Sequence, residues 1–271
     1  MNREYENSIS RAFQTPNHKA FIAFLTAGDP TPESTVEYIL EMERAGADLI
    51  EIGIPFSDPT AEGVVIQDAN VRALAGGMTT DGVFDIVRRV REREGDSKKA
   101  PMPLALMTYA NPVFHYGCER FFARCEELGV GAVIVPDLPY EEKQELEGAA
   151  DAHQVALISM IAPTSRERIQ RIAREARGFI YVVSSLGVTG VRSEITTDLE
   201  SIVKSIREVT DVPCAVGFGI STPEQARRMA RISDGAIVGS AIVKLIAQGG
   251  EQAVPAIYEY VKSMKEAVAE S

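Results

Sequence analysis

Apolar residues along the chain alternate between short uninterrupted runs and longer stretches in which they recur every three or four positions. The short runs fall at 20–25, 48–53, 104–108, 132–136, 155–160, 179–183, 212–216 and 235–238. Most are rich in Val, Ile, Leu or Ala with no polar alternation, the pattern of parallel strands covered on both faces. The stretches between them predict amphipathic helices. Thr31 stands where a helix N-cap is expected, with Pro32 at the first helical position and Val36, Ile39, Leu40 and Met42 on one apolar face. Thr164 with Glu167, and Thr197 with Glu200, have the spacing of a capping box, and Ser221, Pro223 and Glu224 predict another helix start. The tail carries the same stripe in Val254, Ile257, Tyr258, Val261, Met264 and Val268.

Eight strand–helix units predict a single (β/α)8 barrel, a TIM barrel, spanning 1–271, since ~250 residues is typical of that fold. An extra N-terminal helix around Tyr5, Ile9 and Phe13 is expected to cover the barrel floor. A doubly wound open sheet would usually carry a glycine-rich fingerprint after its first strand, whereas the first turn here reads TAGDPT. Two connections exceed the usual ~2–6 residues of such loops. They run over 54–79, after the second strand, and 184–195, after the sixth. Both lie at the carboxyl-terminal mouth, where barrel enzymes carry their chemistry.

Composition narrows the class further. Hydrophobic residues make up 45% and charged residues 25%, close to the averages of globular proteins. No uncharged apolar run approaches the ~18 residues of a membrane span. The start, MNREYENSISRAF, lacks the greasy core of a signal peptide, so a cytoplasmic location is expected. Against 39 acidic residues stand 28 Lys and Arg, a net charge of -11 that disfavours nucleic acid and anionic membranes as partners. Three cysteines (Cys118, Cys125, Cys214) are too scattered for a disulfide framework, and the three histidines (His18, His115, His153) have no metal-ligand spacing. Cys118 and Cys125 read as core-facing on a helix, and His115 and Tyr116 as part of the loop after the third strand.

Glu51, in DLIEIGIPF, is the most informative residue. Strand alternation sets Ile50, Ile52 and Ile54 against the helices and turns Leu49, Glu51 and Gly53 into the barrel. A carboxyl group there is desolvated and holds its proton near neutral pH, as a general acid/base requires. The structural alternative is a buried acid paired with a basic or hydroxyl group. Asp58 and Glu62, in PFSDPTAEG, are candidates for a second carboxylate, although Asp-Pro commonly starts turns and loop glutamates are ordinarily solvated. Small-residue loops follow the last three strands: Gly187–Gly190, Gly217–Ser221 and Gly239–Ala241. The latter two coincide with the usual phosphate site of this barrel class. Tyr181 shares a strand face with Phe179 and Val183, as a core aromatic or as a hydroxyl aimed at substrate or Glu51.

Seven segments together resemble the tryptophan synthase α-subunit family over essentially the whole length: FLTAGDP, DLIEIGIPFSDP, LMTYANPVFHYG, VPDLPYEE, SSLGVTG, VGFGIS and VGSAIVK, in that order. The resemblance implies a carbon–carbon lyase that cleaves indole-3-glycerol phosphate to indole and glyceraldehyde 3-phosphate for tryptophan biosynthesis. It casts Glu51 as the group that moves protons at the indole C3 and the adjacent hydroxyl, Glu62 as a second acid at the indole N–H, and Tyr181 as an orienting residue. Phe24, Met107 and Phe218 would line the indole pocket, and Thr189 would latch the loop after the sixth strand. Gly190, Gly219, Gly239 and Ser240 would bind the phosphate. The family usually has Asp followed by Gly and Pro at the second acid; here the segment is AEGVV, with Glu62 and Val64. The extra methylene matters because a displacement of about 1 Å can cost roughly a hundredfold in rate. Compensation by the loop backbone is expected.

The resemblance also implies a partner, a pyridoxal-phosphate β subunit in an α2β2 heterotetramer, contacted through the loop after the second strand and residues 111–116. Cofactor and metal are then absent from this chain's own reaction. Two rival readings are a freestanding indole-3-glycerol-phosphate lyase and a weakly catalytic binding module that regulates a partner.

Overall fold

The computed structural model describes residues 8–14, 18–95, 100–184, 198–217 and 219–271. In the first third the elements are α1 (Ser8–Arg11), β1 (Ala20–Thr26), α2 (Pro32–Arg44), β2 (Leu49–Gly53), α3 (Val64–Ala75) and α4 (Thr80–Glu94). Then follow β3 (Leu104–Met107), α5 (Ala110–Tyr116), α6 (Cys118–Glu127), β4 (Ala132–Ile134), α7 (Gln144–Ala152), β5 (Ala156–Leu157) and β6 (Ser159–Ile161). The remainder comprises α8 (Arg166–Arg174), β7 (Ile180–Val183), α9 (Leu199–Arg207), β8 (Cys214–Gly217), α10 (Pro223–Ile232), β9 (Gly235–Val238), α11 (Ser240–Gly249) and α12 (Val254–Ala269).

All strand pairs are parallel, in the order β5-β4-β3-β2-β1-β9-β8-β7-β6. The outer members, β5 and β6, are halves of one predicted strand interrupted at Ile158, so the sheet curls into a nearly closed (β/α)8 barrel. Strand alternation builds two apolar layers. Ala20, Ile22, Leu49, Ala105, Ile134, Phe179 and Ile237 fill the interior. Phe21, Ala23, Ile50, Ile52, Leu106, Val182 and Val216 pack outward against the helices. α1 closes the floor: Ile9 is fully buried in the interior layer, and the Phe13 ring lies 5.7 Å from that of Phe179.

Several expectations shift locally. Thr31 caps α2 by accepting from the Ser34 N–H, with Pro32 behind it, as the sequence implies. The other predicted caps move by one residue. Ser165 rather than Thr164 caps α8. Thr222 rather than Ser221 caps α10, forming the capping box with Gln225, because Pro223 has a helical φ and belongs at the first position of the helix. Asp198 caps α9, and Thr197 lies outside the described residues. The long connection at 54–79 is not all loop, since α3 occupies much of it. His115 and Tyr116 sit on the short helix α5 rather than in a loop. Cys125 is buried in the core, whereas Cys118 is only partly covered at the start of α6. The connection at 184–195 lies, apart from Ser184, outside the described residues.

One carboxylate ties the floor together. Asp48 accepts from the backbone N–H of Phe21 at 2.7 Å and from Lys265 Nζ at 2.6 Å, and lies 2.8 Å from His18 Nε2. It thereby joins the start of β2 to β1 and to α12. Replacing Asp48 with Ala removes the side-chain acceptor of the Phe21 N–H and leaves Lys265 Nζ only the Lys19 carbonyl at 3.2 Å and the His18 ring, and is expected to lower stability by about 2–4 kcal/mol in urea titration. A loss below about 0.5 kcal/mol would show that water replaces the carboxylate at no cost.

Candidate active site

The barrel mouth holds a cavity of about 570 Å³ lined by Phe24, Glu51, Glu62, Met107, Tyr181, Gly219, Gly239 and Ser240, together with Ala61, Ile66 and other apolar residues. Among the described residues no Lys, Arg or His lines it. Two carboxyl groups therefore share a mostly apolar chamber with no balancing cation among its described residues.

Glu51 sits midway along β2, level with Phe24 of β1 and Ala105 of β3. It points inward because Ile50 and Ile52 belong to the outer layer. Its side chain is 1% exposed, and neither carboxyl oxygen has a hydrogen-bond partner among the described residues. Water cannot solvate a charge there, and burial pushes the carboxyl up to about 8. Glu51 is thus a neutral acid at pH 7. Tyr181, on β7, is 4% exposed; burial and the nearby Glu51 raise its phenol well above the ordinary value, so it too stays protonated.

Two glycines make room for these aromatics. A Cβ at Gly53 would meet the Phe24 ring at 2.8 Å, and one at Gly217 would meet the Tyr181 hydroxyl at 2.5 Å. Gly217 ends β8 and so serves the packing of Tyr181, although the sequence suggested a loop made for anion approach.

Glu62 stands on the opposite footing from Glu51. It is 7% exposed, yet it has donors. Asn70 Nδ2 donates to its carboxylate at 2.6 Å, and Gln67 Nε2 donates to its backbone carbonyl at 2.7 Å. Burial raises its pKa above the ordinary carboxylate value, while hydrogen bonds from Asn70 and from the Tyr109 hydroxyl oppose that rise. The Tyr109 hydroxyl also accepts from the Ala61 N–H at 3.0 Å, which ties the loop to the barrel rim. Asp58, the alternative second acid, is exposed, receives the Ser57 hydroxyl and does not line the cavity.

Gly219, Gly239 and Ser240 form the far wall. Gly219 has φ +78, a left-handed conformation that suits glycine. Gly239 precedes α11 and supplies no side-chain cap, which leaves the first N–H groups of that helix without side-chain acceptors. Thr189, Gly190 and Phe218 lie outside the described residues. Sequence reasoning passed over Asn70 and Tyr109. The signal for Asn70 was available in principle: Ile66, Ala69, Asn70 and Ala73 form the buried face of α3, a stripe with one polar member.

Fold and site together define a (β/α)8 barrel protein with a paired-carboxylate pocket at its carboxyl-terminal mouth. The family profile described as tryptophan synthase alpha chain matches residues 11–269. Tryptophan synthase alpha chains of Lactiplantibacillus plantarum and Lacticaseibacillus casei are 50% and 48% identical, each covering 93% of this chain and 93% and 92% of their own. A crystal structure of tryptophan synthase subunit alpha from Legionella pneumophila superposes with a TM-score of 0.86 at 33% identity, covering 98% of this chain and 99% of that one. The chain belongs to the tryptophan synthase alpha chain family.

The unpaired Glu51 has a consequence for stability. Between the ordinary carboxylate value of 4.5 and about 8, the unfolded chain ionises Glu51 while the folded chain keeps it protonated, so stability falls as pH rises through that window. Glu51→Gln removes this dependence. Its melting temperature is expected to match wild type near pH 4.5 and to exceed it increasingly towards pH 8, as thermal unfolding across that range checks. A constant offset would mean that Glu51 is not held neutral.

Proposed function

We propose that this chain is a carbon–carbon lyase that cleaves indole-3-glycerol phosphate by a retro-aldol reaction, as the α half of tryptophan synthase. The observation that carries the reading is the division of the two cavity carboxyl groups into an unpartnered neutral acid, Glu51, and a hydrogen-bonded second acid, Glu62. Glu51 gives its proton to the indole C3 while Glu62 takes the N–H proton, producing an indolenine. The ionised Glu51 then takes the proton of the hydroxyl next to C3. The carbon–carbon bond breaks, its electron pair returns to the ring, the aldehyde forms, and Glu62 restores the N–H. Both acids end as they began, so the reaction needs no redox partner.

Phe24 and Met107 suit an indole ring, and Tyr181 a positioning role beside Glu51. The uncapped start of α11 with Gly219, Gly239 and Ser240 suits the phosphate, since unsatisfied N–H groups and the helix dipole favour an anion. In this reading Thr189, Gly190 and Phe218 complete the phosphate and indole walls. Metal is not required, and among the described residues no group of three or more His, Cys, Asp or Glu could hold one. Pyridoxal phosphate is assigned to the partner β subunit.

The docking of that partner is supported by apolar side chains exposed near the mouth: Val64 at 70%, Val71 at 66% and Phe114 at 46%. Val64 and Val71 lie on α3 and Phe114 on α5, the regions expected to make the contact. A cytoplasmic location and one domain over 1–271 belong to the same proposal; no described helix is long and apolar enough to cross a membrane.

The test is indole formation from indole-3-glycerol phosphate by the purified chain, with and without a tryptophan synthase β subunit. Slow turnover alone and strong activation by the partner is the expected result. Fast turnover alone points to a freestanding lyase, and substrate binding without turnover in either assay to a binding module. Glu51→Gln is expected to lower kcat by about 10²–10⁴. Wild-type kcat is expected to decline as pH passes about 8, where Glu51 loses its proton. Unchanged turnover in Glu51→Gln would remove Glu51 from the chemistry.

A further inference from the structure

We propose that Asn70 is a positioning residue for the reaction: its side-chain amide, delivered by α3, holds the Glu62 carboxylate against the cavity wall as a hydrogen-bond acceptor. The proposal rests on the reading of Glu62 as the second acid of the lyase.

The geometry is specific. Asn70 is 3% exposed, and its Nδ2 lies 2.6 Å from Glu62 Oε2. Being on the apolar face of α3 among Ile66, Ala69 and Ala73, Asn70 is buried at a cost that only a satisfied hydrogen bond offsets. The same helix grips Glu62 a second time, through Gln67 Nε2 on its backbone carbonyl. It is itself anchored by Arg72, whose guanidinium makes two hydrogen bonds of 2.8 Å to the buried Asp29 carboxylate in the loop after β1. α3 is therefore a rigid bracket, and Asn70 is the point at which it touches the acid.

Charge balance explains the need for the bracket. The titratable groups around Glu62 are the Tyr109 hydroxyl on the rim and, across the cavity, Glu51 and Tyr181. None is a cation. Glu51 is kept neutral by burial and has no donor among the described residues; Glu62 is distinguished from it by the Asn70 amide and the Tyr109 hydroxyl. With the donor at position 70 removed, Glu62 keeps only the Tyr109 hydroxyl and moves towards the neutral state of Glu51, and a pair of neutral acids cannot both give and take protons at the indole. A glutamate also has one more rotatable bond than an aspartate, so a fixed donor matters more for its placement.

The test combines two readouts on the full chain with its β subunit. The first follows the side-chain carboxyl carbon of Glu62 by 13C NMR through a pH titration without substrate, in wild type, Asn70→Ala and the near-isosteric Asn70→Leu. The expected result is an upward move of the Glu62 midpoint by about one unit or more, with that of Glu51 unmoved. The second is the pH profile of indole-3-glycerol phosphate cleavage. Its acidic limb should move up with the Glu62 midpoint, kcat should fall about 10–100-fold, and KM should change less than threefold. In a Glu62→Gln background, Asn70→Ala should add no further loss. An unmoved Glu62 midpoint, or losses that multiply in the double variant, would overturn the proposal. Should wild type cleave nothing, the lyase reading fails, while the NMR titration still decides whether Asn70 governs Glu62. Asn70→Leu preserves side-chain volume, so a folding defect confined to Asn70→Ala leaves the test intact.

Discussion

The arrangement at the barrel mouth depends on one costly feature, a carboxyl group turned into a hydrophobic interior where no described residue hydrogen-bonds it. Glu51 is held there by its strand. Ile50 and Ile52 on either side are committed to the helix layer, and β2 pairs with neighbours on both edges, so the side chain has no route to solvent. Burial favours the neutral form of the group, and that form is the one acid chemistry at neutral pH uses. Stability and reactivity are thus opposed at a single residue, and the surrounding core supplies the difference.

The rest of the site follows from that burial. Phe24 and Tyr181 exclude water from Glu51, and glycines at positions 53 and 217 leave space for their rings. The second acid is treated in the opposite way: Glu62 comes from the rim, outside the sheet, and carries its own donors. Two chemically similar side chains thereby acquire different proton affinities by environment alone, with no cation lining the described part of the cavity. The wall opposite is built from Gly219, Gly239 and Ser240 at the uncapped start of α11, so it presents backbone N–H groups rather than lysine.

α3 faces two ways. Its inner face carries Ile66, Ala69, Asn70 and Ala73 into the barrel mouth, whereas Val64 and Val71 stand exposed on the outside. The Asp29–Arg72 pair fixes the other side of the helix to the loop after β1.

Much of this was legible along the chain. The parallel strands, the inward face of Glu51, the floor helix and the glycine loops at the mouth all follow from periods of two and 3.6 residues and from the position of glycine. These are local rules, and β9 lies where its apolar run does, from Gly235 to Val238. Helix caps slipped by a residue at Ser165 and Thr222, because neighbouring Ser and Thr compete for the same cap and packing or a proline decides between them. The helix α3 inside the connection after β2 is not announced by a single stripe, because its apolar residues stand on both faces, Ile66, Ala69 and Ala73 buried and Val64 and Val71 exposed. What no local pattern carried was the state of Glu62. Whether a loop glutamate is solvated or buried depends on Asn70 eight positions later and on Tyr109 from the next strand's loop. Hydrogen bonds across such separations exist only once the barrel has brought β2, α3 and the end of β3 to one rim.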